Sequence, residues 1–496
     1  VSNVGQWVGA VAIVVGTVVV GLGLTQRFGD EPAPTPTPTP VPSPTPEAET
    51  RKPGTRTVFT EDAGPVATRE AGPDLLFITW DTARADHTSL HGYPRDTTPF
   101  LLELAGESVV FDRFIVPMST TLPSHITMFT GTLPEEHGVK SNMTISGERF
   151  VPPEALAPLA THLKSRGWST AAFVSSAPLK IFSGIGEGFV HFDQPRGHDR
   201  TADTTVNRVA RWLEDAPLDQ PVFLWVHLFD PHWPWEPPAS HAEILPADDV
   251  LAEVIADGAF LGDLGPKRTR LTTQRLVAYD GEMRFTDDET RRLVTMWSDK
   301  RGLDNTVLVV AGDHGEGLGE HDHLEHGLVW DEQLHAPLLM RVPGVTARRF
   351  ANPIGGNDLL PTLFGLADLP ETDAFRGQWT GSDVLADDFV MRPVFSRLSG
   401  RHVTRLKKKA SFALTGKRWK LLADEDGRTA LYDLDADPSE LEDVSSAHPA
   451  VVSRLVDVGV AQLEAQYARA AALGTGKTEK APPEALEELR KLGYVE

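Results

Sequence analysis

The chain is predicted to fold as an α/β protein, with a large, mainly parallel sheet between helices and a small antiparallel sheet near its C-terminus. Apolar runs without alternation at Leu75 to Trp80, Thr170 to Val174, Val222 to Leu228 and Thr306 to Ala311 mark strands buried on both faces. Stretches with helical spacing separate them, the order expected of a parallel sheet joined by crossover helices. Past about residue 390 the pattern changes to short alternating runs at Val403 to Leu406, Ser411 to Leu414, Trp419 to Ala423 and Thr429 to Asp433, which predicts an antiparallel subdomain.

The first segment is of another kind. Trp7 to Leu24 is free of charge and as a helix would rise about 27 Å, close to the roughly 30 Å hydrocarbon core of a bilayer. A membrane anchor and a cleaved signal segment are the two readings of residues 1–28. The absence of Lys and Arg from residues 1–6 and of a small-residue cleavage pattern after Leu24 favours the anchor. Glu31 to Pro46 alternates Pro with Thr, Ala, Ser and Val; such a stretch builds no core and sits extended, so 29–72 is expected to be a stalk. The main folded domain is expected over 73–390, the antiparallel subdomain over 391–445 and a helical tail over 446–496. Within them, helices are predicted at Thr98 to Gly106, Leu156 to Arg166, Thr205 to Leu213, Asp358 to Leu366, Ala450 to Ala472 and Glu484 to Leu492. Thr272 to Lys300 reads as one long helix or two, and Phe111 to Val116 as a further strand.

Composition narrows the function. With 496 residues the chain is long enough for about two or three domains. Lys+Arg 47 against Asp+Glu 70 gives a net charge of −23, which argues against nucleic acid as a partner. An anionic substrate would need positive charge supplied locally, by a metal or a few basic side chains. Cysteine is absent, so disulfides, thiolate metal sites and a Cys nucleophile are excluded.

The chemistry-bearing residues lie just after predicted strands. Thr120 to Gly131, with Pro123 inside the start and Gly131 past the end, reads as a loop delivering Thr121 onto the first turn of a helix. The positive end of that helix would favour an anion against the Thr121 hydroxyl; a plain N-cap is the alternative role for this residue. Asp81 follows the first strand and Asp313-His314 the strand ending near Ala311. In a doubly wound sheet the carboxyl ends of the strands share one edge, so these distant residues can meet. Asp81, Asp313 and His314 with the Thr121 oxygen would make one divalent-metal site, with Zn²⁺ or Mn²⁺ favoured over Ca²⁺ by the imidazole. Turn chemistry for Asp313 and a surface position for His314 are the alternatives.

Together these motifs resemble the sulfatase family of the alkaline-phosphatase superfamily. The resemblance rests on Asp81-Thr-Ala-Arg-Ala-Asp86, Thr121-Leu-Pro-Ser-His125 followed by Thr130-Gly131 and His137-Gly138, Asp230-Pro-His232, and Gly312-Asp-His-Gly315 followed by His326-Gly327. Near the end it adds Trp419-Lys-Leu and Leu431-Tyr-Asp-Leu-Asp-Ala-Asp-Pro-Ser-Glu440. The match implies an alkaline-phosphatase-like sandwich and a metal-dependent ester hydrolase, with the catalytic domain in the periplasm or outside the cell. It implies Thr121 as nucleophile, Asp81, Asp313 and His314 as metal ligands, and His227, His232 and His326 lining the substrate site. His125, four residues after Thr121 and on the same helix face, joins Thr121 and His232 as a catalytic candidate, and Lys140 is the nearest remaining cation by sequence. Glu320 to His326, with Asp230 and His232, are candidates for a second metal.

The departures from the family pattern direct the function. The family carries Cys, or sometimes Ser, where Thr121 stands, and oxidises it to formylglycine; that aldehyde cannot form here. The second Asp of the first metal loop is Thr82, the cationic Gly-Lys-x-His segment is replaced by Val174-Ser175-Ser176-Ala177, and the Lys before the later Gly is His326. A phospho-threonine can be cleared by water, whereas a sulfated threonine lacks the aldehyde's route of elimination. The expected activity is therefore hydrolysis of phosphate mono- or diesters or phosphonate esters; the alternatives are sulfate ester hydrolysis, headgroup phosphotransfer, and a non-catalytic protein that binds anionic polymers.

Overall fold

The computed structural model describes residues 72–480, with 483 and 487, apart from 143–147, 198, 246–247, 258–264, 368, 399–411, 425 and 475–476. The Trp7 to Leu24 segment, the stalk, the run at Val403 to Leu406 and most of Glu484 to Leu492 lie outside the described residues. Among the described residues no helix is long and apolar enough to cross a membrane.

Among the described residues the main sheet has nine strands. Across it run Arg348–Phe350, Val109–Ile115, His335–Arg341, Thr306–Gly312, Asp74–Trp80, Val222–Leu228, Ser169–Phe173 and His191–Asp193, with Ile354–Gly355 paired onto Val109–Ile115. The core is parallel: Asp74–Trp80 pairs in register with Val222–Leu228 on one side and Thr306–Gly312 on the other. Alternate residues of this strand feed two cores. Leu75 and Phe77 pack with Leu122, Ile126 and Phe129, while Leu76, Ile78 and Trp80 pack with Val206, Leu276, Tyr279 and Trp297. The sheet is thus the middle layer of a three-layer sandwich, with helix Thr121–Thr130 on one face and helices Ala202–Glu214 and Gly265–Arg301 on the other. Gly265–Arg301 is one unbroken helix of 37 residues.

One central strand was not expected. His335–Arg341 runs antiparallel to both its neighbours, and Pro337 in its middle is what hides it, because a proline cannot donate to a ladder and usually marks an edge. The ladder accommodates it with a register shift between Ala336 and Leu338, a bulge that leaves the missing N–H unneeded. The C-terminal sheet has the order Val394–Arg397, Phe412–Thr415, Trp419–Ala423 and Thr429–Asp433, all antiparallel, so Val394–Arg397 is a member the alternation analysis missed. Its apolar face takes Leu455 of helix Pro449–Leu473.

The late motifs tie this sheet to a loop of the large domain. Lys420 Nζ, fully buried, meets Glu440 Oε1 at 2.7 Å and Asp331 Oδ1 at 3.4 Å. The other Glu440 oxygen accepts from the Asp331 amide (2.7 Å), and the Glu440 carbonyl lies 3.3 Å from His321 Nε2.

Candidate active site

Pairing in register brings the carboxyl ends of the three central parallel strands level. Asp81 N–H donates to the Leu228 carbonyl (2.9 Å) and Asp313 N–H to the Trp80 carbonyl (3.0 Å), so both acidic loops leave the sheet at the same point. Thr82 turns the first loop with a φ of 52°, strained for a β-branched residue. Three contacts hold the turn: Thr82 N–H donates to Asp313 Oδ1 (3.0 Å), Tyr279 O–H to the Thr82 carbonyl (2.7 Å), and Arg84 N–H to the Tyr279 oxygen (2.9 Å). The result is Asp81 and Asp313 side by side.

Thr121 meets them from the neighbouring layer. It opens helix Thr121–Thr130, after Thr120 in extended conformation, and Gly131 closes the helix with φ 68°. Gly131 is needed for space as well as for φ: a Cβ there would lie 2.7 Å from the Trp379 ring. Ser124 Oγ–H donates to the Asp313 carbonyl at 2.6 Å and pins the helix to the metal-loop candidate. Thr121 is 1% exposed, and its Oγ1 lies 3.4 Å from His314 Nε2.

The helix N-terminus is less open to an anion than its position implies. Leu122 N–H is given to Asn142 Oδ1 (2.8 Å), Pro123 has none, and Ser124 N–H goes to the Thr120 carbonyl (3.2 Å). An anion at this helix end therefore has the dipole to hold it but not the Leu122 and Ser124 amides.

Around Thr121 the donor atoms form a set with unmet demand. Both Asp81 oxygens and Asp313 Oδ2 are buried without a hydrogen-bond partner. His314 Nδ1–H donates to the Gly315 carbonyl (2.9 Å), leaving the Nε2 lone pair 3.8 Å from Asp81 Oδ1 and 3.8 Å from Asp313 Oδ2. Ligand atoms of Asp81, Asp313 and His314 all lie within 4.8 Å of one another. Burial pushes both carboxyls well above the usual range, Asp313 further by its proximity to Asp81, and holds His314 well below its own. Two carboxylates that burial disfavours and a neutral imidazole with a free lone pair are what a divalent cation would satisfy.

His125 is engaged differently from the expectation of a catalytic group. The Thr121 carbonyl can only accept, so His125 Nδ1 carries the proton and donates to it (2.8 Å). His125 Nε2 then accepts from Thr79 Oγ1 (3.0 Å), which itself accepts from Trp225 Nε1–H (3.0 Å). Both nitrogens are used, so this buried histidine orients the Thr121 backbone and holds no lone pair for a proton or a metal. For the same reason the neighbouring grouping of His125, His227 and Asp313 does not make a metal site.

The other expected residues divide. His227 is fully buried, with neither ring nitrogen hydrogen-bonded and Nε2 3.4 Å from Asp81 Oδ2; burial pushes it down to about 3. His232 and His326 face each other at 5.2 Å between ring centroids, and His326 lies 4.5 Å from the His314 ring. Burial, with His326 beside it, lowers His232 to about 4. Lys140 is not gathered here: it pairs with Glu135 at the other end of helix Pro134–His137. Of the second-metal candidates, Asp230 Oδ1 accepts from Ala202 N–H at the start of a helix (3.0 Å), Glu320 from Arg84 (2.8 Å) and Leu318 N–H (2.8 Å), and His321 lies against Glu332 (3.0 Å). Of that group, His232 and His326 meet. Their companion is Glu316, missed by the sequence reading although it stands just two residues past His314. At the replaced cationic segment, Ser175 Oγ–H donates to the His227 carbonyl (2.5 Å), and Ala177 offers its N–H to Asp199 (2.6 Å).

Comparison with known proteins fits this geometry. The family model described as sulfatase matches residues 73–369, more than half of the chain. An ulvan-active sulfatase of Formosa agariphila is 24% identical over 62% of this chain, which aligns to 64% of that relative's length. An arylsulfatase of Clostridium perfringens is 19% identical over 74% of this chain and 89% of its own. Among solved structures, a phosphonate monoester hydrolase of Agrobacterium radiobacter superposes with a TM-score of 0.63 at 19% identity, covering 80% of this chain and 96% of that one. The chain belongs to the sulfatase family.

Proposed function

We propose that this chain hydrolyses phosphate mono- or diesters or phosphonate esters through Thr121. The observation that carries the reading is a threonine hydroxyl, where the family has an oxidisable cysteine, set 3.4 Å from His314 Nε2 beside carboxylate oxygens that lack partners. Asp81, Asp313, His314 and Thr121 Oγ1 would hold one divalent ion, Zn²⁺ or Mn²⁺ favoured and Ca²⁺ possible, which when bound neutralises ester oxygens and lowers the pKa of the hydroxyl.

The chain's own residues do the rest. His125 and Ser124 fix the helix so that the Thr121 oxygen faces the reacting centre. That oxygen, losing its proton, bonds to phosphorus as the bond to the departing alcohol breaks, and the alcohol takes up a proton. A water then attacks the phospho-threonine, its P–O bond to Thr121 breaks, and the hydroxyl regains a proton. His227, His232 and His326 line the ester-binding side.

Sulfate ester hydrolysis is the second reading, supported by the sulfatase relatives. Against it stand the missing aldehyde precursor and the loss of cations at Ser175 and Ala177. A purely binding role is disfavoured because it gives no reason to bury unpaired carboxylate oxygens next to a hydroxyl. A membrane tether is proposed from Trp7 to Leu24 alone, and a catalytic domain in the periplasm or outside the cell from the likeness to the family. The discriminating experiment compares matched aryl esters: an aryl phosphodiester or phosphonate ester should turn over faster than the aryl sulfate at equal concentration. Faster multiple-turnover release of sulfate would overturn the proposal.

A further inference from the structure

Outside the Asp81, Asp313 and His314 set, Glu316 has no task in the mechanism above, and it stands with two of the histidines placed on the ester-binding side. His232 comes from the loop after strand Val222–Leu228, Glu316 from the loop after Thr306–Gly312, and His326 from the loop ahead of His335–Arg341. Their ligand atoms converge within 4.8 Å of one another. We propose that His232, Glu316 and His326 form a second divalent-cation site beside the first, with the His326 ring 4.5 Å from the His314 ring, suited to Zn²⁺ or Mn²⁺.

Each donor is prepared for this. His232 Nδ1–H donates to the Trp233 carbonyl at 2.6 Å, which fixes the tautomer and leaves the Nε2 lone pair for an ion. Metal-binding histidines are usually held by this kind of outer hydrogen bond, and His314 is held in the same way by Gly315. Glu316 is 1% exposed; its Oε1 lies 3.2 Å from His326 Nδ1, and its Oε2 is buried with no hydrogen-bond partner. A carboxylate oxygen left unfilled at that depth is costly. An isolated Glu316–His326 ion pair would account for one oxygen and leave the other unexplained; a cation accounts for both.

The substitution at position 326 points the same way. The family pattern places a lysine there, whose ammonium has no lone pair to offer, whereas an imidazole can ligate. Two nitrogens and one carboxylate match the number and type of protein donors in open zinc sites. The proposal rests on the reading of Asp81, Asp313 and His314 as the first ion's ligands. It reassigns His232 and His326 from direct substrate contact to ion binding, so that positive charge lost with the cationic clamp returns as a metal. Two adjacent ions can stabilise the attacking and the departing oxygen of one displacement, an arrangement suited to phosphoryl transfer.

Metal counting on the full chain tests it. Protein stripped with chelator, dialysed against Zn²⁺ alone and freed of excess should hold two ions per chain by elemental analysis, and titration calorimetry should show two binding events. Glu316→Gln and His326→Lys, each checked for native circular dichroism, should each hold one. A wild-type chain holding a single ion that both variants retain would overturn the second site while leaving the first intact. A wild-type chain holding none would overturn both. Two ions retained in both folded variants would overturn the assignment to these residues.

Discussion

Thr121→Ala is expected to lower turnover of any substrate ester by at least roughly 10³-fold, because the only atom removed that can attack is the nucleophile itself. The fold should be little affected. Among the described residues Thr121 Oγ1 has one neighbour within hydrogen-bonding reach, His314 Nε2 at 3.4 Å, so its loss breaks no strong bond there, while the helix stays pinned through Ser124 and His125. Thr121→Ser keeps the hydroxyl and should retain measurable rate, slower because a serine lacks the methyl that restricts χ1. Steady-state rates and melting temperatures of the three proteins check this. Wild-type turnover in the alanine variant would remove Thr121 from the chemistry.

The second large effect concerns the ion. Asp81→Asn, Asp313→Asn and His314→Ala should each sharply lower metal content, since each removes a donor from one set. Stability should move in opposite directions with and without metal. In the metal-free protein the folded-state pKa of Asp313 is raised by burial and then by Asp81, so its contribution to stability is greatest at low pH and is lost as pH rises above the unfolded-state value. Asn carries no such cost, and metal-free Asp313→Asn should therefore melt at or above the wild type at neutral pH. With saturating Zn²⁺ the order should reverse, because only the wild type gains the full binding energy of the ion. Melting curves in chelator and in Zn²⁺ read both signs. Unchanged metal content in all three variants would place the ion elsewhere.

How far the sequence could be read depended on what each residue was doing. Strands buried on both faces, such as Val222–Leu228, announce themselves as apolar runs, and so the parallel core and the loops carrying Asp81 and Asp313 were legible. His335–Arg341 was not, because Pro337 argues against a central strand until the bulge beside it is seen. Thr121 was legible through Pro123 and Gly131, which frame its helix. The occupancy of the helix amides was not, since Asn142 reaches Leu122 from 20 residues away. Histidines were the hardest to sort. His125 and His314 both follow a motif, yet one spends both nitrogens on Thr121 and Thr79, and the other keeps a lone pair for the cleft. Spacing gives proximity on a helix or a loop but not the partner of each ring nitrogen. Glu316 escaped notice for a related reason: a glutamate after Asp-His-Gly is an ordinary loop residue until its burial is known.

The central claim, a threonine that takes the phosphoryl group, is met most directly by mass spectrometry of enzyme acid-quenched during turnover of an aryl phosphoester. The account predicts a peptide spanning Thr121 heavier by one phosphate, absent from Thr121→Ala. Quenched enzyme that turns over the ester with no phosphate on that peptide, together with faster release of sulfate from the matching aryl sulfate, would contradict it.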